Sequence, residues 1–159
     1  AGFTGTKIAG GISNLNDRGF SYLNKTIGGV PPDMATEFHL YPVKYQFPEP
    51  SHFFGQSNAQ VIDRFKQIVA PRPFWVGEFG FNQGPRDPFP RLTEEDIYND
   101  LVQWFRMFAE CGAEAACVYQ WRDGNTTDAM GTFGIHRVDG TRKQQAAAIS
   151  DWRSLHGSK

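Results

Sequence analysis

Pro73-Phe-Trp-Val-Gly-Glu-Phe79 is an apolar run of strand length, set off by Pro71 on one side and by Gly80 on the other, and it carries one carboxylate, Glu78, at its far end. An apolar strand that closes on a reactive group is the pattern of a parallel sheet whose chemistry collects at the carboxyl ends of the strands. Gly77 and Gly80 flank the Glu78-Phe79 pair and remove side-chain bulk where a substrate approaches. The competing reading of Glu78 is a solvated strand-end carboxylate beside a turn, and at this stage the two stand level.

Working outward, helices flank this run. Downstream, the loop from Gly80 to Arg91 holds three prolines, and Thr93 then caps a helix with Asp96 three residues on. Ile97, Leu101, Trp104, Phe105 and Phe108 share one face of that helix, and Gly112 ends it. Upstream, Ser57 and Gln60 have capping-box spacing, followed by an apolar stripe of Val61, Phe65 and Ile68 that stops at Pro71. Three further β-like runs complete the pattern, at Thr6 to Ile12, Ala35 to Leu40 and Ala115 to Trp121. Helical spacing follows the first at Asp17 to Ile27, and a last helix is expected from about Lys143 to Leu155.

Four units of strand, loop and helix in about 40 residues each imply parallel strands with right-handed crossovers, an α/β architecture. A complete eight-stranded barrel takes ~250 residues, so a chain of 159 supplies about half of one. Periodicity alone leaves open a half-barrel or a small open sheet. No composition break divides the chain, and residues 1–159 are expected to form one domain.

Composition excludes several classes of partner. The formal net charge of -1, with both signs interspersed, leaves no basic stripe for a phosphate backbone, so no nucleic acid is expected. No apolar run approaches the ~20 residues that span a bilayer, and Ala1 to Lys7 lacks the apolar stretch of a signal peptide, so no membrane partner is expected. Cys111 and Cys117 lie at a helix end and inside the next strand, and both are expected to be buried free thiols. Asn24-Lys-Thr26 and Asn125-Thr-Thr127 match the glycosylation sequon, a pattern short enough to recur by chance. His39, His52, His136 and His156 have no ligand spacing, so neither a metal nor another cofactor is expected.

The other strand ends carry candidate ligand groups. Alternation puts Glu37, His39 and Tyr41 on one face of their strand, either as hydrogen-bonding groups at a barrel mouth or as satisfied core polar residues. Tyr119-Gln-Trp121 closes the last strand, ahead of Arg122, Asp123 and Asn125. An indole there either covers the apolar face of a sugar ring or belongs to the core.

Taken in order, Ile8-Ala-Gly-Gly-Ile-Ser-Asn14, Phe38-His-Leu-Tyr-Pro42, Trp75-Val-Gly-Glu-Phe-Gly80, Tyr119-Gln-Trp121 and Phe133 to Lys143 resemble the fifth to eighth strands, and the approach to the last helix, of the (β/α)₈-barrel retaining glycoside hydrolases that include cellulases, mannanases and β-xylosidases. The resemblance implies the carboxyl-terminal half of such a barrel, acting on β-linked sugars through their O-glycosidic bonds. It places Glu78 at the nucleophile, His39 and Tyr41 at residues that hydrogen-bond the nucleophile or the sugar, Trp121 at the platform under the reacting sugar, and Asn14 and Tyr119 among the substrate contacts. The family's acid/base is an Asn-Glu pair at the end of the fourth strand, and no Asn-Glu dipeptide occurs here. Glu37 lies too deep in its strand and Glu49 sits in a Pro-rich loop, so neither replaces it. Lack of a general acid costs on the order of 10²- to 10⁴-fold in rate. Three readings follow: half of an enzyme whose acid lies elsewhere, a half-barrel that covers its open edges by pairing with its own copy, or a carbohydrate-binding module without turnover.

Overall fold

The computed structural model describes residues 5–13, 15–41, 57–84, 91–124 and 129–156. Within them lie four α-helices, α1 (Asp17–Thr26), α2 (Asn58–Val69), α3 (Glu94–Cys111) and α4 (Ala147–His156). Three strands, β1 (Thr36–His39), β2 (Phe74–Phe79) and β3 (Ala115–Val118), form one sheet in the order β1-β2-β3. The protein is thus mixed α/β with a three-stranded parallel sheet. The chain forms two compact units, Ala1–Phe79 with Phe108–Cys117, and Gly80–Met107 with Val118–Lys159.

The first unit holds β1, β2 and most of β3. Thr36, Glu37 and Phe38 lie opposite Phe74, Trp75 and Val76. Helix α2 begins with the expected reciprocal cap, Ser57 Oγ accepting from Gln60 N and Gln60 Oε1 accepting from Ser57 N. It buries Val61, Ile62, Phe65 and Val69. Phe65 sits edge-on to Phe38 at 4.8 Å between ring centroids and to Phe74 at 6.0 Å, so one helix side chain ties two strands together. On α1, Asn16 caps the helix by accepting from Gly19 N, while Arg64 of α2 pairs with Asp17 at 2.8 Å and covers the Phe20 ring.

The strand expected at Thr6 to Ile12 does not form a ladder. Two isolated parallel bridges, Ile8 to Ala35 and Ile12 to Phe38, join it to β1 instead. Four steps on one side match three on the other, and Gly10-Gly11 takes up the difference.

The second unit is built on the amino-terminal part of α3, where Thr93 and Asp96 cap each other as expected. Phe81 packs edge-on against Trp104, and Phe105 stacks on Trp152. Lys143 is buried at 4% exposure, its ammonium donating to Gln83 Oε1 at 2.8 Å and to Asp123 at 2.7 Å. The expected last helix begins as a 3₁₀ turn, Gln144–Ala146, before α4. The cysteines are free, but the expectation that both are buried is wrong: Cys111 is half-buried and Cys117 exposed. In β3 Cys117 is exposed while Ala115, Ala116 and Val118 are half-buried, so a strand position that looks like core from its apolar neighbours is not covered.

Candidate active site

The site begins with a register shift. Along β1, Thr36 and Phe38 are buried and Glu37 and His39 half-exposed, so the expected alternation holds. In β2, strict alternation would turn Glu78 inward beside Val76. It does not, because the ladder slips by one residue between Phe38 and His39, leaving His39 opposite Glu78. Gly77 and Glu78 are consecutive half-exposed positions, and Phe79 resumes the buried phase. A bulge of this kind re-aims one side chain without disturbing the rest of the strand.

Glu78 is met by two groups from the end of β1. The Tyr41 hydroxyl donates to Glu78 Oε2 at 2.5 Å, and His39 Nδ1 lies 3.4 Å from the same oxygen. The carboxylate keeps 38% of its side-chain surface exposed. It is therefore fixed at one oxygen and still reachable from solvent, as a nucleophile has to be.

Behind His39 stands Glu37, its Oε1 4.0 Å from His39 Nε2. The glycines have a different purpose from the one expected. A Cβ on Gly77 would overlap the Glu37 carboxyl, and one on Gly11 would overlap the Glu37 side chain and carbonyl. The room left at Gly77 and Gly11 is thus taken by Glu37. Gly80, in the second unit, has no room for a Cβ beside the Tyr119 carbonyl.

Among the other expected contacts, Asn14 and Asn125 lie outside the described residues. In the second unit Tyr119 is half-buried, edge-on to Phe133 at 5.6 Å. Trp121 is 71% exposed and leans on His136 at 4.2 Å. It walls a hollow of about 290 Å³ with Ile135, Arg142, Ile149 and Arg153. A hollow of about 580 Å³ opens in the first unit beside Gly11–Ser13, with Arg18 and Tyr22 of α1 on its wall. Sequence reasoning passed over these two because helical spacing assigns them only to a solvated face. Among the described residues no group of three or more His, Cys, Asp or Glu is placed to hold a metal ion, and no helix is long and apolar enough to cross a membrane.

Solved structures of glycosidases resemble this chain in fold. A β-galacturonidase from Eisenbergiella tayi bound to glycerol, described as GH2, superposes with a TM-score of 0.57 at 19% identity, over 78% of this chain and 24% of that one. A β-glucuronidase from Ruminococcus gnavus in complex with C6-substituted uronic isofagomine gives 0.55 at 18%, over 74% and 22%. The β-glucuronidase of Faecalibacterium prausnitzii gives 0.54 at 14%, over 76% and 22%. The likeness shows a glycosidase-like fold, and the chain spans less than a quarter of the length of each of these three proteins. No family model matches the chain. No curated protein sequence matches it either.

Proposed function

We propose that this chain is half of a (β/α)₈ barrel from a retaining glycosidase acting on β-linked sugars, with Glu78 as its nucleophile. The observation that carries this reading is the double engagement of one Glu78 oxygen by Tyr41 and His39 at the carboxyl ends of two parallel strands. In the reaction, a Glu78 oxygen attacks the anomeric carbon and forms a glycosyl ester, and the leaving oxygen departs with the electron pair of the broken bond. Donors on the carboxylate hold its orientation toward the sugar. The proton for the leaving group comes from an acid outside this stretch of sequence, since no Asn-Glu pair lies within it.

A leaving group that needs no proton isolates the Glu78 step. With 2,4-dinitrophenyl β-glycosides of glucose, xylose, mannose and glucuronic acid, one sugar is expected to give slow release of dinitrophenolate that Glu78→Gln abolishes. Equal rates for the wild type and Glu78→Gln refute the nucleophile. Glucuronic acid is included because the structural neighbours are uronide hydrolases by name.

A second reading, a carbohydrate-binding or self-associating half-barrel without turnover, is favoured by the indole of Trp121, exposed to 71%. Such a module keeps its sugar affinity in Glu78→Gln and loses it in Trp121→Ala. Pairing of two copies is measured by sedimentation velocity, where a strict monomer argues against self-completion of the barrel.

A further inference from the structure

We propose that Glu37 is a positioning residue for Glu78, acting through His39. The sequence places Glu37 too deep in β1 to reach a sugar, and the structure gives it another task. Its side chain is 25% exposed and lies in a slot between two neighbouring segments, each of which presents a glycine to it. Any side chain at Gly11 or Gly77 would meet Glu37 atoms, so the backbone on both sides fixes where the carboxylate sits. A carboxylate on a flexible side chain is a weak anchor; one confined between two backbone segments is a strong one.

What the anchor holds is the imidazole. His39 has Glu37 4.0 Å from Nε2 and Glu78 3.4 Å from Nδ1, so each ring nitrogen has a carboxylate near it. The Gly77 slot also borders the His39 ring, since a Cβ there would come within 3.3 Å of its Cδ2. In the imidazolium form both ring nitrogens carry a proton, and a ring attracted at both and bounded at one edge keeps Nδ1–H aimed at Glu78 Oε2, whereas loss of the Glu37 charge frees it to turn about its side-chain bonds. Glu78 would then keep the Tyr41 hydroxyl and lose its second partner.

The catalytic consequence rests on Glu78 being the nucleophile, but the positioning of His39 does not, and the experiment separates them. In the full chain labelled with ¹⁵N, the His39 Nδ1–H is expected as a slowly exchanging ring signal. Glu37→Gln preserves length and shape while removing the charge, and is expected to speed that exchange by about tenfold, the scale set by loss of one charge-assisted contact. Glu37→Asp keeps the charge on a shorter arm and should fall between. Circular dichroism melts confirm that both variants fold. Lack of a protected signal in the wild type, or equal protection in Glu37→Gln, overturns the positioning role whatever the activity shows. With a 2-fluoro dinitrophenyl glycoside of the accepted sugar, the limiting rate of covalent labelling of Glu78, followed by intact mass, should fall by roughly tenfold in Glu37→Gln with the half-saturating concentration unchanged. Faster N–H exchange in Glu37→Gln with no labelling even of the wild type upholds the positioning and refutes the nucleophile.

Discussion

The Tyr41 hydroxyl and Glu78 Oε2 are 2.5 Å apart across 37 positions of sequence. A bond to an ionised acceptor contributes about 1.5–3 kcal/mol, and here it sits on the atom proposed to react. Tyr41→Phe keeps the ring and removes the donor. It should lower the dinitrophenyl glycoside rate by roughly 10- to 100-fold, within that range of energies. A rate within twofold of the wild type would separate the hydroxyl from the chemistry.

Gly77 leaves no room for a side chain beside Glu37. Gly77→Ala puts a methyl group into the Glu37 carboxyl, and overpacking of this kind costs about 1–3 kcal/mol. Urea denaturation should show the lower midpoint, with Gly28→Ala as the control, because a Cβ at Gly28 meets nothing within 4 Å.

Cys117 reports on Glu37 without reference to any sugar. Partial desolvation of the sulfur, on a residue that is exposed as a whole, raises its pKa, and the negative charge of Glu37 raises it further, so the reactive thiolate becomes abundant only above the ordinary thiol range. Removing the charge lowers the pKa, and Glu37→Gln should therefore alkylate faster with iodoacetamide at a fixed, mildly alkaline pH. Cys111, raised by its own burial and then by Asp63, serves as the internal reference in the same digest. An unchanged Cys117 to Cys111 ratio would mean that the Glu37 charge does not reach β3.

Lys143 tests the second unit. Its buried ammonium pairs with Asp123, and Asp123 Oδ1 also accepts from Gly134 N. Breaking a buried pair from one side costs about 3–5 kcal/mol, because the other charge stays buried alone. Lys143→Met should show that loss in thermal denaturation, and Lys143→Met with Asp123→Leu should recover part of it.

How far the sequence could be read depended on whether a feature was local. The reciprocal caps at Ser57/Gln60 and Thr93/Asp96, the buried face of Ile97, Leu101, Trp104, Phe105 and Phe108, and the positive φ of Gly112 all follow from neighbours within a few residues, and each was visible. Helix α2 shows where local spacing loses precision: it buries Ile62 and Val69 as well, while Ile68 is only half-buried. Register was not visible. That Gly10-Gly11 breaks the first expected strand into two bridges, or that Glu37 fills the room the glycines leave, depends on pairings between segments far apart in the chain. The exposure of Cys117 is hidden for the same reason, since its apolar neighbours say nothing about what covers them.

The slip between Phe38 and His39 bears on how chains of this kind are found. A search pattern that demands alternating polarity through residues 74–79 would discard this strand, because two of its outward positions, Gly77 and Glu78, are adjacent. The more faithful signature is an apolar strand whose phase breaks once, at a glycine directly before the acid, with the Glu-x-His-x-Tyr motif of residues 37–41 on the strand beside it. Grafting the acid onto a regular strand, by the same logic, would need the extra residue as much as the glutamate.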